Sequence, residues 1–241
     1  MRLHIVNPNS TRRMTLGIAE AARAIAAPGT EIVATEPADG PVSIEGYFDE
    51  ALCVPGMLRE IAREARAGAE AHVIACFDDT GLDAARALSP KPVVGIGEAA
   101  YHLATLVCGR FSVVTTLSRS IPALEHNIAR YGLSSRCARV RASDIPVLEV
   151  ESPSGEARIS AEIALALKED RCDGIVLGCA GMATLAGRLA AEHGVPVIEG
   201  VSAAVKFAET LVGLGHTTSK RGGWAAPPIK PLGSFQDLLT A

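Results

Sequence analysis

Two stretches decide the fold: VIACFDDTGLDAARAL at residues 73–88 and VLGCAGMATLAGRLAA at residues 176–191. Each opens on a short apolar run, passes through a cysteine and continues into Ala-rich helix formers. That pattern is a buried strand feeding a helix. Laid one over the other at an offset of 103, Val73 meets Val176, Ile74 meets Leu177 and Cys76 meets Cys179. The register holds further on, where Val94-Gly95-Ile96-Gly97 meets Val197-Ile198-Glu199-Gly200. At a slightly larger offset Ile5-Val6-Asn7-Pro8 meets Val113-Val114-Thr115-Thr116, and Ser10 falls opposite Ser118. The two halves read as copies of one four-strand unit.

Working outward, the strands expected in the first half are 3–6, 31–35, 72–76 and 92–96, with helices over 11–26, 55–68, 81–88 and 98–108. The second half starts again with strands at 111–115, 137–141, 174–178 and 196–199, and helices over 118–131, 156–170, 182–193 and 201–213. Strands alternating with helices in short units imply parallel sheets. The fold class is therefore α/β, with two pseudosymmetric lobes. Each lobe is a mostly parallel four-stranded sheet flanked by helices, and the active site lies in the cleft between them. The first lobe is expected to comprise residues 1–97 plus 209–241, the second residues 98–208. The segment from 214 on, with Pro227-Pro228 and the only Trp (Trp224), reads as irregular and docked on the surface or on a neighbouring subunit.

Composition removes several functional classes. Of 241 residues, 23 are Lys or Arg and 27 are Asp or Glu, a net charge of −4. No basic excess is present to neutralise phosphates, so nucleic acid is not an expected partner. Apolar runs such as Val73–Cys76 fall far short of the roughly 20 residues needed to span a bilayer. The apolar run at the N-terminus reaches Asn7 too soon for a signal peptide, so a cytoplasmic location is expected. Asn9-Ser10-Thr11 matches a glycosylation sequon, but no secretion signal accompanies it. Gly95-Ile96-Gly97-Glu98-Ala99-Ala100 imitates a dinucleotide fingerprint without the acidic residue about 20 positions on. Six cysteines are present, with no Cys-x-x-Cys pair and no His at metal-like spacing, so no metal site is expected.

Cys76 and Cys179 stand apart from the other four cysteines. Each falls at the carboxyl end of the third strand of its half, the edge at which open α/β sheets bind ligands. Each precedes a helix, whose N-terminus favours thiolate. Two lobes facing each other would aim the two sulfurs at one carbon from opposite sides. One thiolate then removes a proton and the opposing thiol returns one to the other face, which is stereoinversion. Cys53, Cys108, Cys137 and Cys172 lack this symmetry and read as structural.

The segments NPNST (7–11), VSIEGYFDEA (42–51), VIACFDDTGLDAAR (73–86), FSVVTTLSRS (111–120), IVLGCAGM (175–182), GVPVIEGVSAAVK (194–206) and TTSK (217–220) resemble the hydantoin racemases of the Asp/Glu/hydantoin racemase superfamily. The resemblance covers nearly the whole chain. It implies racemisation of 5-monosubstituted hydantoins without a cofactor, a homo-oligomer, and Cys76 and Cys179 as the acid/base pair. Amino-acid racemases of the superfamily carry Cys-Asn-Thr and Gly-Cys-Thr-His motifs. Here Phe77 replaces the Asn and Ala180-Gly181 replaces the Thr-His pair, which points away from a free amino acid. The substrate implied is a cyclic ureide or imide, with allantoin, itself a 5-substituted hydantoin, as the close rival. A non-catalytic small-molecule receptor is the alternative from another class.

The remaining candidates surround these cysteines. Asn7, Pro8, Asn9 and Ser10 end the first strand, and their amides suit a cyclic imide. Thr115 and Thr116 end the equivalent strand of the second half. Asp78 and Asp79 either orient ring N–H groups or cap the next helix, and Thr80 follows them. Gly178, Ala180, Gly181 and Met182 flank Cys179, where small residues let backbone N–H groups approach a developing enolate. Glu199 and Gly200 end the last strand, Glu199 as a site residue or a helix cap. Phe77 and the loop Pro37–Tyr47 are candidates to define the pocket for the 5-substituent.

Overall fold

The structure, a computed structural model, describes residues 1–238. The first sheet holds β1 (Arg2–Val6), β2 (Glu31–Thr35), β3 (Ala71–Ile74) and β4 (Val93–Gly95), in the order β2-β1-β3-β4. The second holds β5 (Phe111–Thr115), β6 (Cys137–Ala142), β7 (Gly174–Gly178) and β8 (Val197–Ile198), in the order β6-β5-β7-β8. Every strand pair is parallel, and the two orders are the same. Val6 pairs with Ile74 and Thr115 with Gly178, so in each sheet the two central strands end side by side. Chain leaving those ends shares one edge, which is where both cysteines emerge.

The helices are α1 (Arg12–Ile25), α2 (Tyr47–Arg66), α3 (Leu82–Leu88), α4 (Ile96–Val107), α5 (Ile121–Arg130), α6 (Pro153–Glu169), α7 (Ala186–His193) and α8 (Gly200–Gly213). Helices α4 and α8 pack on each other, α4 also against β7 and α8 also against β3 and β4. Their small buried residues, Ala99, Ala100 and Ala104 against Ala203, Ala204 and Ala208, join one continuous core with Leu3, Ile5 and Val73 of the first sheet and Phe111, Val113 and Val176 of the second. Among the described residues no helix is long and apolar enough to cross a membrane.

Several boundaries differ from expectation. Helix α2 starts at Tyr47, eight residues before the expected start at Pro55, which lies inside it. Asp49 and Glu50 in its first turn suit the helix dipole. The carbonyl that Pro55 cannot bond belongs to Ala51, which is exposed to water. Helix α6 starts at Pro153, because Ser152 caps it by accepting from Gly155 N at 3.0 Å. The helix expected over 182–193 is a 3-10 segment over Ala180–Leu185 followed by α7. Helix α8 runs unbroken over Gly200–Gly213. Beyond it the chain docks on the first lobe. Thr218 N donates to Pro90 O at 2.9 Å, and Trp224 Nε1 to Asp83 at 3.0 Å with the Arg86 guanidinium over its ring.

Candidate active site

Cys76 follows β3 and Cys179 follows β7, and both line one cavity. Ala75, Phe77 and Asp78 reach it from the first lobe, and Thr115, Thr116, Gly178 and Ala180 from the second. Asn9, Met14, Ile44, Ser120 and Val147 complete its wall. The space is small, about 30 Å³ for the centre of a water molecule. Thr115 Oγ1 donates to Gly178 O at 2.9 Å, tying the ends of the two central strands together. Gly178 has no alternative there: a Cβ would lie 2.7 Å from Thr115 Cβ.

The roof comes from the loop between β2 and α2. Ser10 Oγ donates to Gly40 O and Pro41 O, and Thr11 Oγ1 to Val42 O at 2.6 Å. Thr11 occupies the N-cap position of α1, but its hydroxyl is committed to this loop rather than to the helix. The loop then sets Ile44 on the cavity, and Glu45 Oε1 accepts from Val147 N of the second lobe at 3.1 Å.

Several expected site residues support the cavity from outside it. Asn7 is buried, and its Nδ2 donates to Asn9 Oδ1 at 2.9 Å and Thr15 Oγ1 at 3.1 Å, so it braces the turn that presents Asn9. Pro8 is buried beside it and Ser10 holds the roof loop. Thr80 Oγ1 lies 3.5 Å from Cys76 Sγ. Met182 is fully buried in the core of the second lobe, and Gly181 lines a neighbouring cleft.

Asp79 turns away from the cavity. It accepts from Gly97 N at 3.0 Å, Glu98 N at 2.7 Å and Tyr131 Oη at 2.8 Å, so it caps α4 and pins the Cys76 loop to the second lobe. Its φ of +51° is rare for a residue with a side chain. Burial pushes its carboxyl up to about 7 against these donors. Glu199 is likewise a cap: its carboxylate accepts from Val201 N at 2.6 Å and Ser202 N at 2.8 Å at the start of α8. Gly200 serves the α4–α8 crossing, where a Cβ would lie 2.4 Å from Ile96 O.

Burial decides the electrostatics. It pushes the Cys76 thiol well above its ordinary range, helped by Asp78, and the Cys179 thiol up to about 12. This reverses the lowering expected from helix N-termini. Helix α3 starts at Leu82, six residues after Cys76, and the segment after Cys179 is 3-10 rather than α. The dipole falls off within a turn and burial prevails. Asp78 is also pushed well up, by burial first and then by Glu50, whose side chain it hydrogen-bonds. Two carboxyls joined in this way share a proton, so the pair does not carry two full charges beside Cys76.

Glu50, Met14, Ser120 and Val147 were not singled out from the sequence. Ser120 carried a faint signal, since it opens the helix after β5 as the 9–11 turn opens the helix after β1. Met14 and Val147 carried none, because ordinary apolar residues on a helix and in a loop look like core.

Two matching parallel lobes thus each bring a cysteine to one cavity. The family model described as Asp/Glu/hydantoin racemase matches residues 3–208, and the chain belongs to that family. It is an isomerase, a racemase. A hydantoin racemase of Rhizobium meliloti is 49% identical over 232 residues, covering 95% of this chain and 96% of its own. The structure of an allantoin racemase from Klebsiella pneumoniae is 52% identical, with a TM-score of 0.95 over 99% of this chain and 98% of that one. Allantoin racemase from Pseudomonas fluorescens is 41% identical, with a TM-score of 0.90 over 97% and 100%.

Proposed function

We propose that the protein racemises 5-monosubstituted hydantoins by two-base proton transfer at C5, with Cys76 and Cys179 as acid and base. The observation that carries this reading is the shared cavity: each cysteine leaves the third strand of its own lobe and reaches the same space. In each turnover one sulfur, as thiolate, takes the C5 proton. The electron pair delocalises onto the neighbouring carbonyl oxygen as an enolate. The opposing thiol then gives its proton to the other face of C5, and the two sulfurs have exchanged states. A buried thiolate is costly, which suits it to take a proton from carbon. The proton shared by Asp78 and Glu50 removes one of the two negative charges that would otherwise oppose thiolate at Cys76. In this reading no cofactor takes part, and the protein works in the cytoplasm as a homo-oligomer on a small cyclic ureide or imide.

The 49% identity to a hydantoin racemase supports this substrate. A second reading, allantoin racemase, is favoured by the 52% identity and full-length superposition on the Klebsiella pneumoniae enzyme.

The test is the circular dichroism of enantiopure 5-benzylhydantoin with the purified protein and no added cofactor. Decay to zero with the compound intact is expected. Cys76→Ser and Cys179→Ser should each fall to the background rate, one-sided C5 proton exchange being the most either retains. Full racemisation by both variants would overturn the two-base mechanism. Racemisation of allantoin alone would establish the second reading.

A further inference from the structure

Beside the cysteine cavity lies a second, narrower cleft between α1 and the loop before α6. The two spaces share three wall residues: Met14, Val147 and Ala180. Gly17 and Ile18 of α1 and Val150 extend the cleft as an apolar slot, with Arg13 and Glu151 at its rim. Room for a water's centre is about 30 Å³ on the cysteine side and about 10 Å³ in the cleft, so neither holds a bulky group as it stands.

Met14 occupies the junction. Asn9 Nδ2 lies 3.5 Å from its sulfur. Met14 and Cys179 line the same cavity, and a Cβ at Gly181 would lie 3.7 Å from Cys179 Sγ and 3.8 Å from Met14 Cε. Methionine has three rotatable bonds and moves at little cost. Among the described residues its side chain's polar hold is the weak amide–sulfur contact with Asn9. At the enolate stage C5 is planar, its two faces are taken by the two sulfurs, and the 5-substituent must leave in the plane of the ring. Met14, Val147 and Ala180 form the wall that the cysteine cavity shares with the cleft.

We propose that the cleft is the subsite for the 5-substituent and that Met14 is the gate that admits it, selecting apolar alkyl and aralkyl groups over the polar ureido group of allantoin. This rests on the proposed racemisation at C5 and goes beyond it in naming the specificity residue and the substituent class. Among the described residues the polar side chains lining the cleft are Arg13, Glu151 and Thr184, and all three are exposed at its outer rim. A desolvated amide there loses more than it gains.

The experiment measures kcat/KM for 5-benzylhydantoin, 5-methylhydantoin and allantoin with the wild type, Met14→Ala and Gly17→Leu. Met14→Ala removes the gate and should raise the benzyl-to-methyl ratio roughly tenfold, the scale of apolar pocket discrimination. Gly17→Leu fills the slot from its far side and should lower the ratio by a similar factor. A Cβ at Gly17 meets only Glu151 Oε1, at 3.6 Å, and leucine is the better helix former, so the fold tolerates this change. Opposite movement of the two ratios supports the proposal. An unmoved ratio in folded variants overturns it, as does a rise for allantoin in Met14→Ala matching that for the benzyl compound. If the wild type racemises none of the three compounds, the functional reading has failed rather than the gate.

Discussion

Lowering the pH should remove a defined part of the stability through a pair of histidines far from the cavity. His4 on β1 and His72 on β3 are fully buried, with their Nδ1 atoms 3.0 Å apart. One of the two must donate and the other accept, so the contact excludes two protonated rings. His4 Nε2 has Thr35 Oγ1 at 2.8 Å, but His72 Nε2 is buried with no partner among the described residues. Burial pushes His72 down to about 4, from about 6.5 in the unfolded chain. Between these values the unfolded chain holds a proton that the folded protein refuses, so stability falls as the pH falls. At about 1.4 kcal/mol per unit, going from pH 6.5 to pH 5 costs about 2 kcal/mol. Asp79 works the other way: its raised carboxyl keeps a proton in the folded state over the same range, so the total curve hides the histidine. The informative quantity is the difference in urea-unfolding free energy between the wild type and His72→Leu. It should shrink by about 2 kcal/mol from pH 6.5 to pH 5. A difference constant across that range would refute the reasoning.

Two further substitutions probe the scaffold. In Gly97→Ala the new Cβ would lie 2.3 Å from Phe77 O and 2.8 Å from Asp79 Oδ2. Overpacking of this kind costs about 1–3 kcal/mol. Because the atoms displaced adjoin Cys76, kcat should fall even at temperatures where the variant stays folded; unchanged kcat in the folded variant would show that the Asp79 anchor does not set the thiol. Arg141→Met should destabilise by about 3 kcal/mol in urea unfolding. The guanidinium pairs with Asp170, whose side chain is 3% exposed, and with Glu162 and Glu169. Removing Asp170 as well, in Arg141→Met/Asp170→Leu, should restore most of the loss, because the penalty is a buried carboxylate left with Ser112 Oγ at 2.9 Å and the more distant Arg139 at 3.9 Å.

The parallel sheets and the placing of the two cysteines at strand ends were legible in the sequence because each rests on a local pattern, whereas the strand order came from the structure. A β-branched run of four or five residues bounded by Gly, Pro or Asn is a strand whatever surrounds it, and repetition at an offset of 103 placed Cys76 and Cys179 at equivalent strand ends. Helix boundaries followed the same logic where a cap was local. They failed at Pro55, where a proline read as a start is tolerated inside the helix because its orphaned carbonyl faces water.

What only the tertiary structure decided is where the polar groups around those cysteines go. Asp78 and Asp79 are adjacent and chemically alike, yet a backbone in the left-handed region sends Asp79 to the N-terminus of α4 while Asp78 faces the cavity. Glu50 matters because α2 lays it against Asp78, a partner 28 residues on. The thiols are raised rather than lowered because burial, a property of the assembled lobes, outweighs a helix end that lies too far away. Met14 and Val147 become wall residues only when α1 of one lobe meets a loop of the other. A sequence carries its own spacing and propensities, but desolvation and contacts across the cleft come into being only when the two lobes close on each other.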